Sequence, residues 1–263
     1  MKETKVLIFL FFILLLVYPA TSSGFDVKGS QPSQPNGVFS TFSTGNSGKG
    51  VVSLGFEFEQ SLDPSYFRIS ATSSYAFTDY VELSITSPYM LKKYDNGFED
   101  IHFSLKHKFM DEGLYTPSLA YLLSGSPDVE FKRDSLGGRV GGGLILTKKI
   151  GPFKTHTNLF FFEPADSKLK AEYDVLLGVD FPATHSVNVL TELVTTKSHF
   201  SSNIDHIEGR LGYRYRPVNF FYTTLGVGYE FKQRSPEFRF FLSLTFIYPK
   251  KEDERPRIFE YVK

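Results

Sequence analysis

The 263-residue chain contains no cysteine. That excludes disulfides, thiolate metal sites, a catalytic thiol and a lipid-modified cysteine behind an export signal. Tryptophan is also absent, so any aromatic belt must be built from Tyr and Phe. There is no excess of either charge: 29 basic residues balance 29 acidic ones, interleaved along the chain, and nothing suggests a nucleic-acid partner. After residue 20 no apolar run is long enough for a membrane-spanning helix of about 20 residues. A membrane barrel is not excluded by this, nor by the mean hydropathy of -0.16, because a barrel strand meets lipid only at every second residue. No glycine-rich phosphate loop and no G-x-S-x-G motif occurs. His102, His107, His185 and His206 show no ligand spacing with Asp or Glu. No metal and no cofactor is expected.

What is abundant is aromatic side chain, 16% of the chain, arranged with period two. In Val52-Ser53-Leu54-Gly55-Phe56-Glu57-Phe58-Glu59 the residues Val52, Leu54, Phe56 and Phe58 share one face. Ser53, Gly55, Glu57 and Glu59 share the other, since side chains alternate along a strand. Twelve such segments follow one another, at 51–60, 66–77, 80–87, 99–109, 114–123, 137–148, 153–162, 170–181, 186–195, 207–216, 220–231 and 237–248. Short links alternate with longer ones at 88–97, 124–134, 163–169 and 196–205. An even strand number puts both ends of the barrel on one side, and the alternation matches periplasmic turns facing extracellular loops. The fold class expected is all-β, a twelve-stranded antiparallel up-and-down transmembrane β-barrel of outer-membrane type.

Before the barrel, Lys2 and Lys5 precede an apolar run and Pro19-Ala20-Thr21-Ser22. Residues 1–22 therefore read as a secretory signal peptide. Residues 23–49 are rich in Ser, Gly, Pro and Asn without apolar period, and read as a flexible N-terminal periplasmic arm or a partial plug. The barrel spans 50–248, and 249–263 form a charged periplasmic C-terminal tail. The location expected is a bacterial outer membrane. The expected partners are its lipids, a small-molecule solute and, during biogenesis, the barrel-assembly machinery.

Several stretches carry a family resemblance: Tyr75 to Leu83, Gly97-Phe98-Glu99-Asp100-Ile101 with Lys106 to Phe109, Lys154-Thr155-His156-Thr157-Asn158-Leu159, and Ser235-Pro236-Glu237-Phe238-Arg239. In these the chain resembles the outer-membrane β-barrel family associated with the meta-pathway of phenol degradation. The resemblance implies a transporter of small, often aromatic or apolar molecules. It does not imply an enzyme.

On the polar faces lie the residues that would line the lumen: Glu57, Arg68, Glu82, Lys106, Lys108, Arg139, Lys154, His156, Asn158, Glu172, Asp174, Glu192, Glu208, Arg210, Arg214, Glu230 and Arg239. Two readings stand side by side. Opposite charges on neighbouring strands brace the wall at roughly 0.2–1 kcal/mol per pair, or acids and bases face each other across a selectivity constriction. Lys154, His156 and Asn158 share one face at i, i+2, i+4. A lipid hydrolase would need a serine beside His156, and no neighbouring strand offers one. A structural or adhesive barrel would carry its function in the loops, which are short for that role. Lumen glycines such as Gly178, Gly212 and Gly226 either open a solute path or relieve strand curvature.

Overall fold

In a computed structural model, residues 29–62, 65–91, 96–127, 138–232 and 238–249 are described. The signal-peptide stretch, the start of the arm and residues 250–263 of the tail lie outside them. The described residues form strands β1 (Val52–Leu62), β2 (Ser65–Ala76), β3 (Val81–Leu91), β4 (Gly97–Phe98), β5 (His102–Met110), β6 (Ser118–Ser126) and β7 (Arg139–Ile150). Then come β8 (Phe153–Pro164), β9 (Glu172–Pro182), β10 (Val187–Lys197), β11 (His206–Val218), β12 (Phe221–Glu230) and β13 (Phe238–Tyr248). Each pairs antiparallel with its neighbours, β13 returns to β1, and the β2–β3 pairing completes the ring. β4 and β5 both pair with β3 and form one stave, so the barrel has twelve. Among the described residues, closure leaves no strand edge unpaired, the condition for a sheet to sit in lipid.

Alternation orients every stave. Leu54, Phe56, Tyr173, Val175, Leu177, Phe238, Phe240 and Phe246 are exposed on the outer surface. Their neighbours Ser53, Glu59, Asp180 and Arg239 are buried inside. A one-residue slip would put those charges against hydrocarbon, at about 2–4 kcal/mol for each Arg or Lys at midplane.

Most strand boundaries differ from the sequence expectation by one to three residues, and two differ by four. β3 runs on through Pro88 to Leu91 rather than stopping at 87. Proline cannot donate to a ladder, but here Ser87 and Pro88 face Glu99, Asp100 and Ile101 at a bulge, where the Pro88 carbonyl accepts from Glu99 N at 2.9 Å. β6 begins at Ser118 rather than 114. Gly113 N donates to Thr116 O at 3.1 Å, and this turn leaves Leu114 and Tyr115 82% and 91% exposed.

The core lies in the lumen. Gln31 to Gln34, Asn36 to Phe39, Thr41 to Thr44 and Ser47 are buried there. Ser30 sits at the loop end, its hydroxyl 2.7 Å from that of Ser124 on β6. At the turn end Asn46 Nδ2 donates to Thr78 O at 3.0 Å and Lys49 N to Asp79 Oδ1 at 3.0 Å. The segment therefore threads the barrel lengthwise. Residues 31–47 lie inside the barrel as an insert, the placement a partial plug would have.

Candidate functional site

The insert's own order is local. Val38 N donates to Thr41 O at 2.8 Å and Ser43 N to Asn36 O at 3.0 Å, around a bridge between Gly37 and Phe42. Among the described residues it joins no ladder of the wall. Wall side chains hold it instead, taking up the backbone groups that a strand partner would otherwise satisfy. Glu192 on β10 accepts at Oε1 from Ser40 N at 2.8 Å and from Thr41 Oγ1 at 2.6 Å. Asn158 on β8 accepts from Phe42 N at 2.6 Å and donates to Phe42 O at 2.9 Å. Thr147 Oγ1 accepts from Thr44 N at 3.0 Å, and Lys106 Nζ donates to Gly45 O at 2.6 Å. Arg214 on β11 pairs with Asp180 at 3.0 Å and donates to Gln34 Oε1 and Gly37 O.

Small wall residues make the seat. A Cβ on Gly226 would stand 2.4 Å from two ring atoms of Phe39, and one on Gly178 would stand 2.9 Å from Val38 Cγ2. These glycines give room to the insert, a use that neither a solute path nor relief of curvature describes.

Towards the loop end runs an ionic belt. Arg68 on β2 donates to Glu99 through Nε at 2.8 Å and Nη2 at 3.0 Å, and pairs with Glu59 on β1 at 3.3 Å. Tyr66 OH donates to Glu59 at 2.6 Å. Arg239 on β13 lies 3.5 Å from Glu59 and 3.7 Å from Glu208 on β11. Arg210 then bridges Glu208 at 2.7 Å and Glu192 at 2.9 Å. The belt thus ends on the carboxylate that grips the insert. Glu230 on β12 meets His206 beside it.

The other predicted lumen residues fall into smaller groups. Glu82 and Lys106 pair at 3.1 Å. Arg139 pairs with Glu172 at 2.9 Å at the loop end, and His199 approaches the same carboxylate at 3.3 Å. Asp174 accepts from Thr196 Oγ1 at 2.6 Å. His156 Nδ1 lies 3.0 Å from Thr147 Oγ1, deep in the lumen rather than at lipid. Glu57 is half-buried, opposite Ser243 and Ser70. Two residues stand apart from the lumen centre. Lys108 reaches out to Asp111 at 2.7 Å over the Tyr80 ring, and Lys154 is exposed at the turn-side rim.

Sequence reasoning missed the apolar half of the interior. Leu122, Ile145, Phe160, Phe162, Leu176 and Val194 all face inward on β6 to β10, and Phe42 of the insert packs among them. The Phe42 and Phe160 rings meet edge-on, centroids 5.9 Å apart. The signal was hidden because Leu159-Phe160-Phe161-Phe162 is apolar at every position. Gly141 and Gly143, opposite Phe162 and Phe160 in register, were the available clue that bulky groups lie over that wall.

No family model matches the sequence, and no curated protein matches it. Solved structures do match the fold. The COG4313 outer membrane channel from Pseudomonas putida F1 aligns at TM-score 0.61 with 11% identity, over 78% of this chain and 98% of that one. The NanC porin aligns at TM-score 0.60 with 8% identity, over 73% and 98%. The KdgM porin in complex with disordered oligogalacturonate aligns at 0.56 with 12% identity, over 74% and 98%. At such identities the likeness establishes an outer-membrane-type barrel and no more.

Proposed function

We propose that the protein is an outer-membrane channel for small molecules, closed at rest by residues 29–49. The observation that carries this reading is how the insert is held. Its bonds to the wall come from side chains such as Glu192, Asn158, Thr147 and Arg214, and none belongs to the sheet. The insert can therefore leave without opening a single ladder of the barrel.

Departure would uncover two unlike walls. One carries the Arg68–Glu59–Arg239–Glu208–Arg210–Glu192 belt, and the other carries Leu122, Ile145, Phe160, Phe162 and Leu176. A lumen with one apolar wall and one charged wall suits small amphipathic molecules, an aromatic ring lying on Phe160 while its polar group faces the arginines. This agrees with the phenol-pathway resemblance in solute class. The charged belt then serves both as brace and as the polar half of the solute path.

The test uses vesicles loaded with a variant lacking residues 29–47, and two anions that lipid excludes. Benzenesulfonate should enter faster than methanesulfonate despite its greater size. Replacing Phe160 and Phe162 by Ser should reverse that order. Equal size-ranked entry before and after the replacement would remove the aromatic-solute reading and leave an unselective pore.

A further inference from the structure

Two wall arginines offer the same edge of the guanidinium, made by Nε and Nη2, to different oxygens. Arg68 on β2 uses it for a wall carboxylate, with Nε 2.8 Å from Glu99 Oε2 and Nη2 3.0 Å from Glu99 Oε1. Arg214 on β11 gives the Nη2 of that edge to the insert, donating to Gln34 Oε1 and Gly37 O, both neutral carbonyl oxygens. Its Nε is buried without a hydrogen-bond partner among the described residues. The third nitrogen, Nη1, is tied to the wall through Asp180 Oδ2 at 3.0 Å and reaches Pro35 O at 3.5 Å.

An Nε–Nη2 edge is shaped for two parallel bonds to one carboxylate, sulfonate or phosphate group. The insert's carbonyls fill it in part and leave a buried, charged donor unbonded, which costs free energy. Arg210 also leaves Nε unbonded, but its Nη2 already holds Glu208 at 2.7 Å, a wall group that stays when the insert leaves. Arg214 would then lose all three insert oxygens and keep only Asp180. The charge around it favours an anion. Asp180 is the one carboxylate within ion-pair distance of Arg214 among the described residues, and Lys154 on β8 stands opposite Asp180 in register. Two cations thus share one acid, whereas Arg68 sits between two acids, Glu59 and Glu99. The insert brings no charge of its own to this site, since no residue from 29 to 48 has an ionised side chain.

We propose that Arg214 is an oxyanion site of the lumen, filled at rest by the insert's carbonyls and, once the insert has left, by the carboxylate, sulfonate or phosphate group of a solute. The proposal rests on the channel reading, and it names both the solute's charge and what opens the gate. An anion that binds only the unseated barrel shifts the balance towards it, in proportion to concentration above its Kd. The solute therefore opens its own path.

The experiment is single-channel recording from the full chain in planar bilayers, with potassium benzenesulfonate replacing part of the potassium chloride at constant ionic strength. Open probability should rise several-fold with benzenesulfonate and not with benzenesulfonamide, the same ring without the charge. Arg214→Gln should abolish the response. Arg214→Lys, which keeps the charge but not the two-nitrogen edge, should lose most of it. Glu192→Ala, which loosens the insert with Arg214 intact, should keep it. Folding of each variant is read by heat-modifiable electrophoretic mobility, and should Arg214→Gln misfold, the lysine variant carries the test. A second reading needs no current: hydrogen exchange of the 36–44 amides in the full chain should quicken several-fold with benzenesulfonate. No anion response, an equal response to the sulfonamide, or an undiminished response in a folded Arg214 variant overturns the proposal. Openings that ignore the anion strike this site and leave the channel reading standing. Amides loosened by the anion through Arg214, without any current, would strike the channel reading alone.

Discussion

Replacing Glu192 by Ala should loosen the insert more than any other single wall change. Glu192 Oε1 accepts from Ser40 N and Thr41 Oγ1, and Oε2 accepts from Arg210 Nη1 at 2.9 Å. Hydrogen bonds to a charged group are worth about 1.5–3 kcal/mol each, and removing one partner of a buried charged set costs about 3–5 kcal/mol. Part of that is recovered when the insert leaves and its donors meet water, so about 3 kcal/mol should fall on the seated state. At about 1.4 kcal/mol per tenfold, the open-to-seated ratio rises roughly a hundredfold. Arg210 keeps Glu208 at 2.7 Å, so the barrel itself should hold. Single-channel recording in planar bilayers reads the ratio as open probability. Glu192→Gln, which keeps one acceptor but no charge, should lie between wild type and Ala. If folded Glu192→Ala opens no more often than wild type, this carboxylate does not hold the insert and the reasoning is wrong.

Four further outcomes follow from the same geometry. Gly226→Val should push the Phe39 ring from its seat and raise open probability; unchanged gating would show that the ring does not rest there. Phe42→Ala removes a ring from the apolar cluster, a change of about 3–5 kcal/mol in a closed core, and should speed hydrogen exchange of the 38–44 amides while leaving the strands protected. Arg68→Met leaves Glu59 and Glu99 facing each other in a buried site, so urea unfolding should show a loss of about 3–5 kcal/mol, and a loss under about 1 kcal/mol would contradict the belt's role. At the 111–117 turn, the Lys149 N–H holds the Glu112 carboxyl below the ordinary 4.5. This contact is complete above pH 4.5 and is lost as pH falls through the lowered value, so protection of the Lys149 amide relative to its intrinsic exchange rate should fall only in that acid window, and modestly because the group is exposed.

Much of the wall was legible because lipid imposes a strict period. Tyr173, Val175 and Leu177 outside and Asp174 and Asp180 inside follow from alternation alone, as does the placing of Arg68, Glu192 and Arg239 in the lumen. The pairing partners were not legible. Glu99 sat in what looked like a strand start, and only the Pro88 bulge turns it onto Arg68. The insert was the least legible part. Residues 31–47 have neither a helical nor a strand period, because their bonds go to side chains of distant strands rather than to any regular backbone partner. The apolar lumen wall was hidden for a related reason. Period two distinguishes the faces of a strand only when one of them is polar, and at 159–162 both are not.

Potassium current through planar bilayers, compared between the full chain and a variant lacking residues 29–47, tests the central claim most directly. The account predicts no sustained current from the full chain and stable ohmic steps from the shortened one, both shown to be folded barrels. Equal currents from the two, or silence from the shortened barrel, would contradict it, because residues 29–49 would then not be what closes the lumen.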